Sequence, residues 1–174
     1  ADMPMGEGWT RSGGWSSVKL AVSAAHTHGR PLIGCEALTS TPMHSQWKQT
    51  MYSLKAFADQ AFSMGINMLV LHCYAQQPWE HVRPGMTMNF WGTQFSRTQT
   101  WWDLSRPWFD YISRCQFLLQ RGMPVVDICI LGIGEPGGIP AGFKTDFCNE
   151  ETLSRMTVEN GDLVLPDGMR YRLL

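Results

Sequence analysis

An α/β fold is predicted by three features of the sequence. Short apolar runs bounded by turn residues (31–35, 66–71 and 125–131) alternate with segments whose apolar residues recur every three or four positions. The hydrophobic share is 44% of 174 residues, enough for a real core. The order strand, helix, strand, helix, strand implies right-handed parallel crossovers.

Taken in order, residues 1–15 are rich in Gly, Pro and Met and read as a loop. Ser16 or Ser17 can cap a helix carrying Val18, Leu20, Ala21, Val22, Ala24 and Ala25 to about His28, with Gly29 at its C-terminal end. Pro31-Leu32-Ile33-Gly34-Cys35 is then a buried strand that ends at Glu36. After a polar loop at 39–42, Ser45 can cap a second helix through Trp47, Met51, Leu54, Ala58 and Ala61, stopping at Gly65. Residues 66–71 form the next strand, apolar along most of its length as a covered parallel strand should be, and His72 terminates it. The connection 73–106 is longer than a compact domain tolerates without a function. Pro107 suits a first helical turn, and Trp108, Tyr111, Ile112, Cys115, Leu118 and Leu119 give one apolar face up to Gly122. A third strand follows at 125–131. Asp146 or Asn149 can cap a short helix through Leu153 and Met156. Residues 163–165, the turn Pro166-Asp167-Gly168 and residues 169–173 have hairpin chemistry. A domain boundary is expected near 122–124.

Charge excludes some functions. Fourteen basic against fifteen acidic residues leave a net charge of -1 with no basic cluster, which argues against nucleic acid or an anionic membrane as partner. No apolar run approaches the roughly 18 residues of a membrane span. The five cysteines (Cys35, Cys73, Cys115, Cys129, Cys148) are scattered singly and read as buried thiols. Low charge beside eight Trp, eight Phe and four Tyr suits a buried enzyme core or an aromatic site for a neutral ligand. The chain opens at Ala1 and closes in strand-like sequence at Leu174, so it is expected to be a piece of a longer protein.

Glu36 is the most informative residue, because a carboxylate after five apolar strand residues faces either an ion pair or a cleft. Strand C-terminal ends are where parallel α/β folds build their sites, so Glu36 is read as an acid or base or else as a structural acceptor. His72 closes the next strand, about 4.8 Å away, and can converge on the same opening or be a satisfied core group. The loop between them and the third helix carries Gln76, Gln77, Trp79, Asn89, Trp91, Gln94, Arg97, Gln99, Trp101 and Trp102. Ring faces that stack on sugar C–H groups, beside amide and guanidinium donors for hydroxyls, suit a carbohydrate; the alternative is an aromatic-packed cover. Residues 132–137 fit G-x-G-x-x-G, but Gly138, Pro140 and Gly142 prolong a loop where a nucleotide fingerprint opens a helix. His26-Thr27-His28 chelates a metal only if the helix has already ended. Cys35 points away if Glu36 points into the site.

The runs PLIGCEALTS (31–40), INMLVLHCYAQQP (66–78), PGMTMNFWGTQFSRTQTWW (84–102) and LVLPDGMRYRL (163–173) resemble glycoside hydrolase family 106, the α-L-rhamnosidases, in order and over nearly the whole chain. The resemblance implies that residues 1–122 are the last few βα units of a (β/α)8 TIM-type barrel. Residues 123–174 then begin a following α/β domain of flavodoxin or glutamine-amidotransferase type. It further implies removal of terminal α-L-rhamnose from plant polysaccharides or glycosides with inversion, aided by calcium, in a secreted or periplasmic enzyme. Glu36 matches a family glutamate at a strand end and takes a catalytic role, with His72, Gln77, Trp91, Arg97, Trp101 and Trp102 as substrate-binding residues. The family pattern more often reads Glu-Ser-Phe where this chain has Glu36-Ala37-Leu38. Calcium ligands are not identifiable, and neither Glu80 nor Glu135 is a convincing second carboxylate, which is expected upstream. The partners are a rhamnose-containing carbohydrate and the missing parts of the same chain, without which the piece should be inactive. A non-catalytic carbohydrate-binding module using the Trp-rich loop and a self-standing flavodoxin-like domain are the alternative readings.

Overall fold

The computed structural model describes residues 1–174 apart from Ser12 and Glu135, so the reading of Glu135 lies outside the described residues. The first strand, β1 (Met5–Trp9), falls where a loop was expected. It pairs in parallel with β2 (Gly34–Thr39), which pairs in parallel with β3 (Met68–Leu71). Glycine content hid β1. A Cβ on Gly6 would stand 2.6 Å from the Val18 backbone, and one on Gly8 would meet the Trp15 ring at 2.9 Å. Helix α1 (Trp15–Thr27) lies that close to the strand, so only glycine fits at these positions.

Neither Ser16 nor Ser17 caps α1. Gly14, at φ 85, turns the chain two residues before Ser16, and the Ser17 hydroxyl instead accepts from the Glu7 N–H at 3.0 Å. Helix α2 (Met51–Ser63) is capped by Thr50 rather than Ser45, through a reciprocal box in which Thr50 Oγ1 accepts from Ser53 N and Ser53 Oγ from Thr50 N. Ser45 is fully buried and accepts from the Gln94 amide at 3.1 Å. Helix α3 (Arg106–Leu119) follows a single 3₁₀ turn, with proline in its first turn as predicted.

The helices pack on one face of the three-stranded sheet. Cys35, Ala37 and Leu69 point into a core with Val18, Val22, Leu54, Ala58, Trp108 and Ile112. Glu36 pairs with Glu7 on one side and Val70 on the other, so these three share the opposite face. On that face Met5 is 51% and Val70 44% exposed, and the sheet is uncovered there.

Beyond α3 the chain forms β4 (Ile128–Leu131) and β5 (Thr145–Cys148), a parallel pair. Strand β5 lies where Asp146 was weighed as a helix cap. Asn149 alone caps α4 (Glu150–Ser154), its Oδ1 accepting from Thr152 N at 2.8 Å. The predicted hairpin is present as β7 (Asp162–Val164) and β8 (Arg170–Tyr171), and β6 (Thr157–Glu159) adds a third antiparallel strand. A second core of Val126, Cys129, Cys148, Leu165, Met169 and Tyr171 fills this part.

Helix α1 touches both parts. Lys19 donates to the Thr145 carbonyl and hydroxyl. Asp146, fully buried, accepts from His26 Nδ1 at 2.7 Å, Tyr171 OH at 3.1 Å and Ser23 Oγ at 3.2 Å. His26 therefore serves this contact rather than a metal pair with His28, which lies at the helix C-cap. Among the described residues no helix is long and apolar enough to cross a membrane.

Candidate active site

Glu36 does not end its strand. Strand β2 runs three residues further, through a bulge at Leu38, where φ is 66 and two residues of β2 oppose one step of β1. Leu38 is a bulky residue held at positive φ, a conformation that costs about 1–3 kcal/mol and collects at functional sites. Its carbonyl accepts from the buried Thr93 hydroxyl at 3.0 Å. The bulge brings Thr39 opposite Trp9, and the Thr39 hydroxyl reaches Glu36 Oε1 at 3.4 Å.

Glu7 was missed by sequence reasoning, because β1 reads as a loop. It faces Glu36 across one strand spacing on the uncovered face, so two half-buried carboxylates stand side by side. The signal available in the sequence was the alternation Met5-Gly6-Glu7-Gly8-Trp9, in which glycines mark the helix-facing positions and larger residues the open ones.

His72 follows β3 directly. Its Nδ1 donates to the Gly92 carbonyl at 2.9 Å, which orients the ring and leaves Nε2 as the nitrogen outside that bond. Gly92 also exchanges two backbone hydrogen bonds with Ser40, just past β2, and so ties the long loop to the strand ends. Trp91, one residue earlier, is 38% exposed and meets Trp9 edge to face, with centroids 5.2 Å apart and planes at 90°. Trp9, which had no place in the sequence reading, thus joins the site.

The remaining candidates lie elsewhere in the loop. The buried Gln77 amide donates to and accepts from the backbone of Met86 at 2.6 and 3.0 Å, engaging it within the loop itself. Arg97 is exposed and donates to the Gln77 carbonyl at 3.3 Å. Trp101 donates its indole N–H to the Gln49 carbonyl at 2.8 Å and packs on Phe95, while Trp102 packs edge-on against Phe109. Both are half-buried against the main core. The structure therefore gathers Glu7, Glu36, His72, Trp9 and Trp91 at the strand ends. Gln77, Trp101 and Trp102 are engaged in holding the loop down.

Cys35 and Cys73 are poor nucleophiles. Burial, with added repulsion from Glu36 and Glu7, pushes the Cys35 thiol up to about 12, and its side chain lies on the helix face as expected from strand alternation. Burial also raises Cys73, with Glu36 adding to the effect. All five cysteines are free; Cys73 and Cys115 are only half-buried, contrary to the expectation that all are buried. Residues 132–134 and 136–142 contain no helix, in keeping with rejection of a nucleotide fingerprint there.

A family model described as alpha-L-rhamnosidase, glycoside hydrolase family 106, matches residues 1–174. A rhamnosidase of known structure from Novosphingobium sp. PP1Y superposes with a TM-score of 0.91 at 31% identity, covering 99% of this chain and 18% of that one. A protein of Formosa agariphila, provisionally named beta-glucuronidase, is 34% identical over 184 aligned residues, covering 99% of this chain and 15% of its own length. The chain thus spans less than a fifth of the proteins it matches.

Proposed function

Because this chain belongs to glycoside hydrolase family 106, the α-L-rhamnosidases, we propose that it supplies one wall of a site that hydrolyses a terminal α-L-rhamnoside, with Glu36 as its acid or base. The observation that carries the reading is the position of Glu36. It is a half-buried carboxylate on the uncovered face of a parallel sheet, near the strand ends, with a second carboxylate, an oriented imidazole and two indoles around it.

The sheet is read as a sector of a (β/α)8 barrel. Consecutive neighbours in the order β1-β2-β3 with every helix on one face are what a barrel wall requires, whereas an open doubly wound sheet carries helices on both faces. The uncovered face is then the barrel interior, and the rest of the longer protein closes it.

An inverting mechanism needs two carboxyl groups about 6.5–9.5 Å apart, with room for water between them. Glu7 and Glu36 sit on adjacent strands, whose backbones are about 4.8 Å apart, below that range, so we do not assign them as that pair. We assign the partner of Glu36 to a part of the protein outside these residues, and to Glu7 the binding of sugar hydroxyls. His72, through Nε2, binds a further hydroxyl. Calcium, implied by the family resemblance, takes six to eight oxygens. Among the described residues no three His, Cys, Asp or Glu side chains gather as a metal site, and we assign no calcium ligand among them. A secreted or periplasmic enzyme is what the same resemblance implies.

The relative named for glucuronide cleavage favours a second reading, an anionic sugar as substrate. Against it, a uronate would bring its own carboxylate beside the carboxyl groups of Glu7 and Glu36, whereas rhamnose is neutral. The test is Glu36→Gln in the full-length protein, assayed on an aryl α-L-rhamnoside and an aryl β-glucuronide. The wild type should cleave the rhamnoside. The variant, folded but unable to exchange a proton, should lose at least about 10²-fold in turnover. Near-normal turnover would remove Glu36 from the chemistry, and preference for the glucuronide would replace the substrate.

A further inference from the structure

We propose that the corner formed by Trp9 and Trp91 is the specificity element of this site: it receives the C5 methyl group of a 6-deoxy sugar. The inference rests on the rhamnosidase reading and deepens it. Trp9 is two residues beyond Glu7 on β1, so its side chain leaves the strand on the same face as the carboxylate pair. It stands opposite Thr39, whose hydroxyl contacts Glu36. Trp91 reaches the same place from the long loop, fixed through the Ser40–Gly92 bridge and through its carbonyl, which accepts from the buried Gln94 amide at 3.0 Å. The two indoles meet at the end of β2.

Their geometry selects the kind of group they can take. A pyranose ring stacks on a single flat aromatic face. Two rings at 90°, centroids 5.2 Å apart, instead offer a small concave apolar angle that touches a compact group on two sides. The Trp9 ring and the Trp91 backbone are both held in place. A Cβ on Gly14 would stand 3.0 Å from Trp9 Cδ1, so the Trp9 ring rests directly on that glycine, and Trp91 is held as described. Rhamnose differs from mannose by a hydrogen in place of the C6 hydroxyl, so it presents a methyl group beside its ring oxygen. Burying that methyl in the corner is favourable, whereas a hydroxyl there would lose its water without gaining a partner.

The test uses the full-length enzyme and two substrates with the same aryl leaving group, an α-L-rhamnoside and an α-L-mannoside. An apolar pocket discriminates one such group by about 10–200-fold in kcat/KM. Trp91→Ala, at an exposed loop position, should lower kcat/KM on the rhamnoside about tenfold or more and leave the mannoside unchanged or improved, so that the preference shrinks by at least that factor. Trp9→Phe keeps an aromatic edge and should retain most of the preference, which guards against misfolding as the cause. Equal losses on both sugars would mean stacking on a face they share, and no loss on either would mean that the corner only packs; each would overturn the inference. A change that follows the aryl group rather than the sugar would assign the corner to the leaving group and overturn it as well. Failure of the underlying reading is seen in the wild type: an enzyme that cleaves a glucuronide and neither of these sugars overturns both.

Discussion

Asp146 is the residue at which a single atom exchange should be felt across two structural parts. Its carboxylate is fully buried on β5 and collects His26 Nδ1 at 2.7 Å, Tyr171 OH at 3.1 Å and Ser23 Oγ at 3.2 Å. In Asp146→Asn the amide oxygen can occupy the place of Oδ2 and keep the His26 and Tyr171 contacts, but without the charge. The difference between charge-assisted and neutral hydrogen bonds is about 1 kcal/mol each, so the loss is about 2 kcal/mol. The amide nitrogen then faces Ser23, which can turn to accept. Asp146→Ala strands all three donors in the core, and removing one partner of such a buried set costs about 3–5 kcal/mol. Native-state hydrogen exchange in the full-length protein reads this locally. At 1.4 kcal/mol per tenfold, the amides of β5 and of the last two turns of α1 should exchange about 30-fold faster in the Asn variant and 10²-fold or more faster in the Ala variant. Protection unchanged in Asp146→Ala, or a larger effect from Asn than from Ala, would refute the assignment of this carboxylate as the joint's acceptor.

Two further outcomes follow from packing and titration. Gly6→Ala should destabilise by about 1–3 kcal/mol or more, because its Cβ would stand 2.6 Å from backbone atoms of Val18 and α1 would have to move. Gly137→Ala, with nothing within 4 Å, serves as the neutral control in the same thermal scan. Burial raises Cys35 from 9.0 to about 12, so between those values the unfolded chain releases a proton that the folded chain keeps. The contribution is intact below about pH 9 and is lost as pH rises towards 12, with Cys129 and Tyr171 acting in the same sense. The urea midpoint should therefore fall with pH above 9, and Cys35→Ala should make the fall shallower; a slope unchanged by Cys35→Ala would count against it.

Periodicity carried what packing dictates. The apolar spacing of α2 and α3 and the turn at 166–168 were legible because each follows from a buried face or from turn chemistry. What was hidden has a physical cause in each case. Strand β1 alternates glycine with polar or bulky residues because a helix backbone lies against it, so it has loop composition while being a strand. Strand β5 contains a buried carboxylate, and an aspartate before an asparagine looks like a cap unless its three donors are known. Glu36 was placed on the right strand, but that strand was ended too early, since the bulge at Leu38 depends on tertiary contacts that no local pattern encodes. With β1 missed, Glu7 and Trp9 were missed together. The Trp-rich loop was legible as a unit, yet which of its indoles face the strand ends was not, because Trp91, Trp101 and Trp102 differ only in what the folded chain sets against them.

The double contact of α1 decides where this protein can be cut. A division at residue 122, drawn from composition, would leave Ser23 and His26 without their acceptor and Lys19 without Thr145. It would also open to water the side of the helix that β5 covers. The other side of the same helix fixes the main chain of Glu7 through Ser17. A minimal piece that keeps these contacts has to extend at least to Tyr171, whose hydroxyl donates to Asp146. Anyone shortening this protein, or grafting its three-stranded sheet onto another scaffold, would have to carry β4 to β8 along or replace the wall they provide.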